Sequence, residues 1–449
     1  PSQQEAIRFG LASEDLAIIH GPPGTGKTTT VVELIQQAVK RGEKVLACAP
    51  SNTAVDNLLE RLIVAGAKVV RVGHPARVDE SLREYTLDAQ VADHEVMSVV
   101  QDMLREAETL FRKAGRFTRA KPPRGAKSEM RREARRLKAD ARLLEQQAVE
   151  SVLDRSNVVC ATLTFNEDLL GDRRFHLAVI DEACQSTEPA CWIPVLRADR
   201  LVLAGDHCQL PPTVLSDKAA REGLAISLLE RMVAHYGQQV TRQLKIQYRM
   251  HQQIMQFSSE QFYDGTLEAD DSVVSHTLED LPSISASSLT NQPITYIDTA
   301  GADWHEEIEP EGESKRNPKE GAFLLRKVEQ LEASGLPTKS IAIITPYAAQ
   351  VRWLRDQRGR DDLEIDTVDG FQGREKEAVL ISCVRSNATG EIGFLGDIRR
   401  MNVALTRARR SLIVVGDSAT LGGHEFYAAL FSYFESIGAY RSIWEEDTF

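Results

Sequence analysis

The segment Gly21-Pro-Pro-Gly24-Thr25-Gly26-Lys27-Thr28-Thr29 lies between the apolar run Leu16–His20 and a stretch of helical character. A strand, a glycine-rich turn and a helix N-terminus together make a cradle of backbone N–H groups suited to a polyphosphate. Lys27 has the reach of a point charge toward the outer phosphates, and the Thr28 hydroxyl is a ligand for the accompanying magnesium. Binding of a nucleoside triphosphate is therefore expected, and a chance glycine turn fits the flanking pattern poorly.

Further chemistry falls at the ends of apolar runs. Asp181 and Glu182 follow Val179-Ile180 directly, where ligand sites of parallel sheets lie. Such a pair often merely caps a helix; behind a phosphate loop it reads as a magnesium ligand (Asp181) and a base for the attacking water (Glu182). Gln209, in Gly205-Asp-His-Cys-Gln-Leu-Pro-Pro212, has an uncharged amide able to bond both a γ-phosphate oxygen and that water, although alone it would read as a polar turn. Tyr248-Arg249 and Thr406-Arg407 supply an aromatic ring and two guanidinium groups from the second half. Arginine fingers of this kind contribute about 10³–10⁵ in phosphoryl-transfer rate.

These residues need elements to carry them. Apolar runs occur at Leu16–His20, Lys44–Ala49, Lys68–Val72, Asn157–Leu163, Leu177–Ile180 and Arg200–Ala204, then at Ile294–Ile297, Ile341–Thr345, Leu363–Val368, Ala378–Val384 and Leu412–Val415. Continuous apolar strands alternating with helices predict parallel sheet covered on both faces. Two such sets predict an α/β chain of two lobes, residues 1–243 and 244–449, hinged near Thr241–Gln247. At 449 residues, two or three domains are the prior. Residues from about 83 to 150 interrupt the first lobe. Val96, Val100, Met103, Ala107 and Leu110, and Met130, Ala134, Leu137, Ala141, Leu144 and Ala148, follow a 4-3 spacing that predicts an antiparallel helical hairpin. The polar joint Ala114–Lys127, with Pro122-Pro123, would form its tip. Asp270–Lys319, acidic and rich in Ser and Pro, reads as surface loop around one strand.

The chain carries a net charge of −12, which argues against a generic nucleic-acid binder. Yet Arg112–Arg142 holds thirteen Lys/Arg against three acids, so this segment is +10 and the remainder −22. A solvated helix face and a contact to backbone phosphate are both open for it. No apolar run approaches membrane-spanning length. Six cysteines without CxxC spacing suggest reduced, buried thiols of an intracellular protein. Because the first residue is Pro1, the numbering is expected to start inside a longer chain.

The ordered series is Ser2-Gln3, the phosphate loop, Ala49-Pro-Ser51-Asn52-Thr53-Ala-Val-Asp56, Asp181-Glu182, "GDHCQLPP", "QYRMH", Thr367-Val-Asp-Gly-Phe-Gln-Gly-Arg-Glu375 and "NVALTRARR". It resembles superfamily 1 helicases of the nonsense-mediated-decay helicase group, most closely the immunoglobulin mu-binding protein type, over essentially the whole chain. The resemblance implies two tandem RecA-like P-loop lobes with ATP and Mg²⁺ between them and single-stranded DNA or RNA across their top. It implies adenine reading by Gln3, base stacking on Tyr248 and ribose contact by Glu375. Gly21, Gly24, Thr25, Gly26, Lys27, Thr28 and Thr29 would hold the phosphates; Gln209, Arg249 and Arg407 would meet the γ-phosphate. Ser51, Asn52, Thr162 and Thr367 match positions facing the nucleic-acid backbone. Movement 5′ to 3′, as a monomer, is the expectation from such relatives, which carry a stalk and small β-barrel upstream. A kinase-like P-loop enzyme leaves "APSNTAVD" and the two arginines unexplained. A nucleotide-gated scaffold stays open as the alternative.

Overall fold

A computed structural model describes residues 1–115, 125–310 and 312–446. Seven strands make one parallel sheet: β1 (Leu16–His20), β2 (Val45–Ala49), β3 (Val69–Val72), β4 (Val158–Thr162), β5 (Phe175–Ile180), β6 (Ala198–Gly205) and β7 (Thr241–Gln243), in the order 3-4-2-5-6-1-7. Alternate residues of each strand feed opposite cores: Ala17, Ile19, Val45 and Ala47 pack on one face, Ile18, Leu46 and Cys48 on the other. Both faces are covered, which is why these strands read as unbroken apolar runs.

The chain then forms the short parallel pair β8 (Ile246–Gln247) and β9 (Glu268–Ala269). Next come β10 (Ile294–Asp298), the small antiparallel pair β11 (Glu307–Ile308) and β12 (Lys315–Arg316), and then β13 (Ile341–Thr345), β14 (Glu364–Thr367), β15 (Lys376–Ser382), β16 (Ala408–Gly416) and β17 (Tyr440–Ser442). The second parallel sheet runs 14-13-15-16-10-17. Ranked by chain position, its strands lie third-second-fourth-fifth-first-sixth. The first sheet follows the same path once β4 is set aside. β4 is the strand that enters directly after the helical insertion.

The first three residues of the expected hinge Thr241–Gln247 belong to the first sheet. Thr241–Gln243 pairs with Ile18–His20 as an edge strand. Its polar, half-buried residues give no apolar run to signal it. The same holds for the edge strand β17.

The α-helices that precede β4 are α1 (Ser2–Ala12), α2 (Lys27–Lys40), α3 (Asn52–Val64), α4 (Leu87–Ala92), α5 (Met97–Gly115) and α6 (Ala126–Arg155). α5 and α6 pack along their lengths. Their fully buried seam is Val100, Ala107 and Ala114 against Ala134, Ala141 and Ala148, at seven-residue intervals. The larger expected seam residues Met103, Leu110, Leu137 and Leu144 are half-buried beside it. Arg131, Arg132, Arg135, Arg136, Lys138 and Arg142 are exposed on α6. Pro122-Pro123 and most of the joint lie outside the described residues.

One buried cation fastens the start of α3 to the sheet. Arg71, on β3, is fully buried; its Nη2 donates to Asn52 Oδ1 at 2.9 Å and its Nε to Asp56 Oδ1 at 3.3 Å. Asp56 in turn accepts the Asp79 N–H at 3.1 Å. Arg71→Met leaves the Asp56 carboxylate buried without its cation and is expected to cost about 3–5 kcal/mol by urea unfolding. Asp56→Asn added to it should restore part of that loss.

Candidate active site

β1 ends at His20 and α2 begins at Lys27, so the loop between them faces a helix N-terminus. Gly24 and Gly26 hold left-handed backbone, φ +76° and +74°. A side chain at Gly24 would stand 2.7 Å from Arg249 Cβ, and one at Gly26 would stand 2.7 Å from Gln3 Nε2. Both glycines are thus required by conformation and by room. Gln3 Nε2 donates to Thr25 O at 2.8 Å, and Thr25 Oγ1 to Pro22 O at 2.7 Å, which fix the loop from inside. Gly21 passes against the Lys27 side chain. Thr29 Oγ1 instead accepts from Arg61 Nη1 at 3.1 Å, toward α3.

β5 delivers Asp181 and Glu182 to the same end of the sheet. Lys27 Nζ lies 2.5 Å from Glu182 Oε1 and 3.5 Å from Asp181 Oδ1. Burial would depress the ammonium's pKa, but Glu182 and then Asp181 outweigh it and raise it. Burial raises the Asp181 carboxyl, with Lys27 opposing. The Lys27 charge is the firmer one, because two carboxylates face it. Thr28 Oγ1 lies 3.4 Å from Asp181 Oδ2, so a hydroxyl and a carboxylate converge where a hard cation takes oxygen ligands. Glu182 has φ +53°, a strained backbone for a residue with a side chain. Its N–H donates to Asp181 Oδ1 at 2.9 Å, and Gln185 Nε2 donates to its Oε2 at 2.7 Å.

The second half of the chain meets this cluster. Tyr248 N–H donates to Gly24 O at 2.9 Å, tying the Gln247–Arg249 turn to the phosphate loop, and the Tyr248 ring is 43% exposed. Arg249 pairs through Nε with Glu375 and donates through Nη1 to Thr406 O at 3.1 Å. Arg407, immediately before β16, is buried and places Nη2 3.4 Å from Gln209 Oε1. Burial, and then the neighbouring Arg249, lower its pKa to about 9, which leaves it charged at neutral pH. Gln3, Lys27, Thr28, Asp181, Glu182, Gln209, Tyr248, Arg249, Glu375 and Arg407 therefore gather around one cleft.

Ser51, Asn52, Thr162 and Thr367 lie elsewhere, along the C-terminal strand ends. Ser51 Oγ caps α3 by accepting Ala54 N–H at 3.1 Å, and Asn52 is held by Arg71. Thr162 ends β4 in register with Ala49, and Thr367 Oγ1 accepts Gly370 N–H at 3.1 Å.

Sequence reasoning left Asp206 without a role. It accepts from His20 Nε2 at 3.0 Å, Cys208 N at 3.1 Å, Gln209 Nε2 at 2.7 Å and the Tyr263 hydroxyl at 2.8 Å. Asn402 Nδ2 bridges Tyr263 and the Cys208 carbonyl at 3.0 and 2.9 Å. The strand-end acid was a visible signal; Tyr263, 57 residues away, gave none. His207 stacks on His20 at 4.6 Å, and burial lowers its pKa to about 4. A histidine depressed below its unfolded value of about 6.5 contributes fully above that pH and loses stability as pH falls toward 4. His207→Gln should therefore flatten the decline of urea stability between pH 6.5 and 4.5 by about 1 kcal/mol per pH unit.

Two family profiles, each described as an AAA domain, match residues 1–217 and 224–419. The chain is 46% identical over 452 residues to the DNA-binding protein SMUBP-2 of Rattus norvegicus, covering 99% of this chain and 45% of that protein. It is 40% identical over 430 residues to the DNA polymerase alpha-associated DNA helicase A of Schizosaccharomyces pombe, covering 94% and 64%. A third relative, an uncharacterized ATP-dependent helicase of Methanocaldococcus jannaschii, is 36% identical over 478 residues, covering 97% and 70%. The chain thus spans about half the length of the SMUBP-2 relative it matches. It belongs to the superfamily 1 helicases of the nonsense-mediated-decay helicase group.

Proposed function

We propose that this chain is an ATP-driven translocase or helicase on single-stranded DNA or RNA, moving 5′ to 3′, with lobes 1–243 and 244–449 closing on each nucleotide. The observation that carries this reading is one cleft holding Lys27, Asp181 and Glu182 from the first sheet and Arg249 and Arg407 from the second half. A kinase needs no such second set of arginines. The names of two relatives, a DNA-binding protein and a DNA helicase, support a nucleic-acid substrate. Six free cysteines, five of them buried, support a reducing, intracellular setting.

Lys27 is held by Glu182 in the free chain. An arriving triphosphate competes for that ammonium, and Glu182 is then released to accept a proton from water. Gln185 keeps the carboxylate oriented meanwhile. Thr28 and Asp181 suit Mg²⁺, which would neutralise phosphate charge there. Arg407 and Arg249 are pre-placed cations for charge that grows on the transferring phosphoryl group. Gln209 touches Arg407 on one side and Asp206 on the other, so it is placed to report the γ-phosphate to both lobes. Ser51, Asn52, Thr162 and Thr367 would meet the strand's backbone, and the exposed basic face of α6 is a phosphate-binding candidate.

The deciding experiment is steady-state ATPase rate with and without single-stranded DNA and RNA, at low and moderate salt. Stimulation of tenfold or more by either polymer is expected. A healthy rate indifferent to both would instead support a nucleotide-gated scaffold. Lys27→Ala should abolish turnover. Glu182→Gln should keep ATP affinity, read by equilibrium binding, while slowing hydrolysis about 10²–10⁴-fold.

A further inference from the structure

Phe394 lies in the turn Gly393–Gly396 that follows β15 and precedes the helix Ile398–Leu405, and 56% of it is exposed. This is no loose loop. The ring stands 5.3 Å from the Tyr347 ring at 54°, and the Arg400 guanidinium lies 5.6 Å from its centroid. Tyr347 is buried, and its hydroxyl accepts the Phe394 N–H at 3.3 Å and Arg385 Nη1 at 3.0 Å. Arg385 is 1% exposed and anchored to Glu306 at 2.7 Å. Gly393 has φ +56°, and any side chain there would collide with Arg385 and the Tyr347 hydroxyl. A buried base therefore holds a single aromatic ring up to solvent.

The ring's place in the fold is informative. Tyr347 follows β13 closely, and Thr345 of that strand is in register with Thr367 of β14. Arg400 reaches Asp369, two residues beyond Thr367, at 3.5 Å, and Asp397 at 3.7 Å. The ring thus borders the same strand-end edge as Thr367. Its rim is charged, with Glu391 exposed and 3.7 Å from Arg385. Leu395 beside it is buried, so no apolar groove continues from the ring. Leu395 gives a peptide helix or strand no second apolar anchor beside the ring. A flat π-face over one ring, flanked by a guanidinium, fits what remains.

We propose that Phe394 is a stacking platform for one base of single-stranded nucleic acid crossing the second lobe, with Arg400 and Tyr347 holding the ring in place. This deepens the function proposed above and rests on it. Every base has a π-face, so the contact is sequence-tolerant.

The test measures binding of the whole chain to oligo-dT and oligo-U by anisotropy, for native protein, Phe394→Ala and Phe394→Trp. An abasic oligomer of equal length serves as the control, alongside basal ATPase without nucleic acid. Phe394→Ala should bind about tenfold more weakly to base-bearing oligomers, Phe394→Trp near the native level, and both like native to the abasic strand. Basal ATPase should not change. Equal affinity of Phe394→Ala and native protein overturns the platform while leaving the broader reading intact. So does an equal loss on the abasic strand, or a fall in basal ATPase, since either makes the ring merely structural. Native protein that binds neither polymer overturns both readings.

Discussion

Everything where the two halves of the chain meet turns on one ammonium group shared by two carboxylates. Lys27 sits 11% exposed between Asp181 and Glu182, whose side chains are 4% and 26% exposed. Two like charges that close are tolerable in a poorly hydrated pocket because the cation lies between them. The cluster carries a net negative charge, while Arg249 and Arg407 approach from across the cleft with charges that also repel each other. Glu375 offsets the Arg249 charge, and Arg407 meets the neutral amide of Gln209. In the proposed function a polyphosphate with its metal would supply anion to Lys27 and Arg407 and cation to the carboxylates, a ligand with both signs of charge.

Asp206 extends the constraint beyond the cleft. A buried carboxylate is costly unless its lone pairs are used, and this one receives four donors, from β1, its own turn and the second half of the chain. Burial would raise its pKa; the His20, Gln209 and Tyr263 bonds hold it low. Gln209 cannot shift without disturbing Asp206, and Asp206 cannot shift without disturbing Tyr263 and, through it, Asn402. Asn402 lies on the helix Ile398–Leu405 that leads into Arg407, so Gln209 and that helix belong to one hydrogen-bond network.

Much of this was legible in the chain because the informative residues are local. The strands announce themselves through apolar runs buried on both faces, and the phosphate loop through glycines that its backbone demands. What escaped was of two kinds. The edge strands β7 and β17 are three residues long and half-buried, too short for periodicity to detect. Long-range partners such as Tyr263 to Asp206, or Arg71 to Asn52, have no sequence signal at all, since each depends on where strands fall in the sheet. Glu375, tied to a ribose by resemblance, pairs with Arg249 and approaches Arg409 in the structure, partners that no local pattern announces.

The shared strand order of the two sheets explains how one fold pattern serves two different faces. In the first sheet the phosphate loop and Asp181-Glu182 emerge from the C-terminal ends of β1 and β5, the usual ligand edge of a parallel sheet. In the second, Glu375 and Arg407 precede β15 and β16, so the edge turned to the cleft is the N-terminal one. The C-terminal edge of the second sheet is thereby left free, and it carries Thr367, Tyr347 and Phe394. The first sheet's C-terminal edge likewise carries Ser51, Asn52 and Thr162 beyond the phosphate loop. A long polymer laid along these two edges would feel any change in the angle between lobes, because each lobe contributes contacts from a rigid sheet. In the proposed function, nucleotide and polymer would share the first sheet's C-terminal edge and use opposite edges of the second, so hydrolysis could displace a strand without the strand ever entering the cleft.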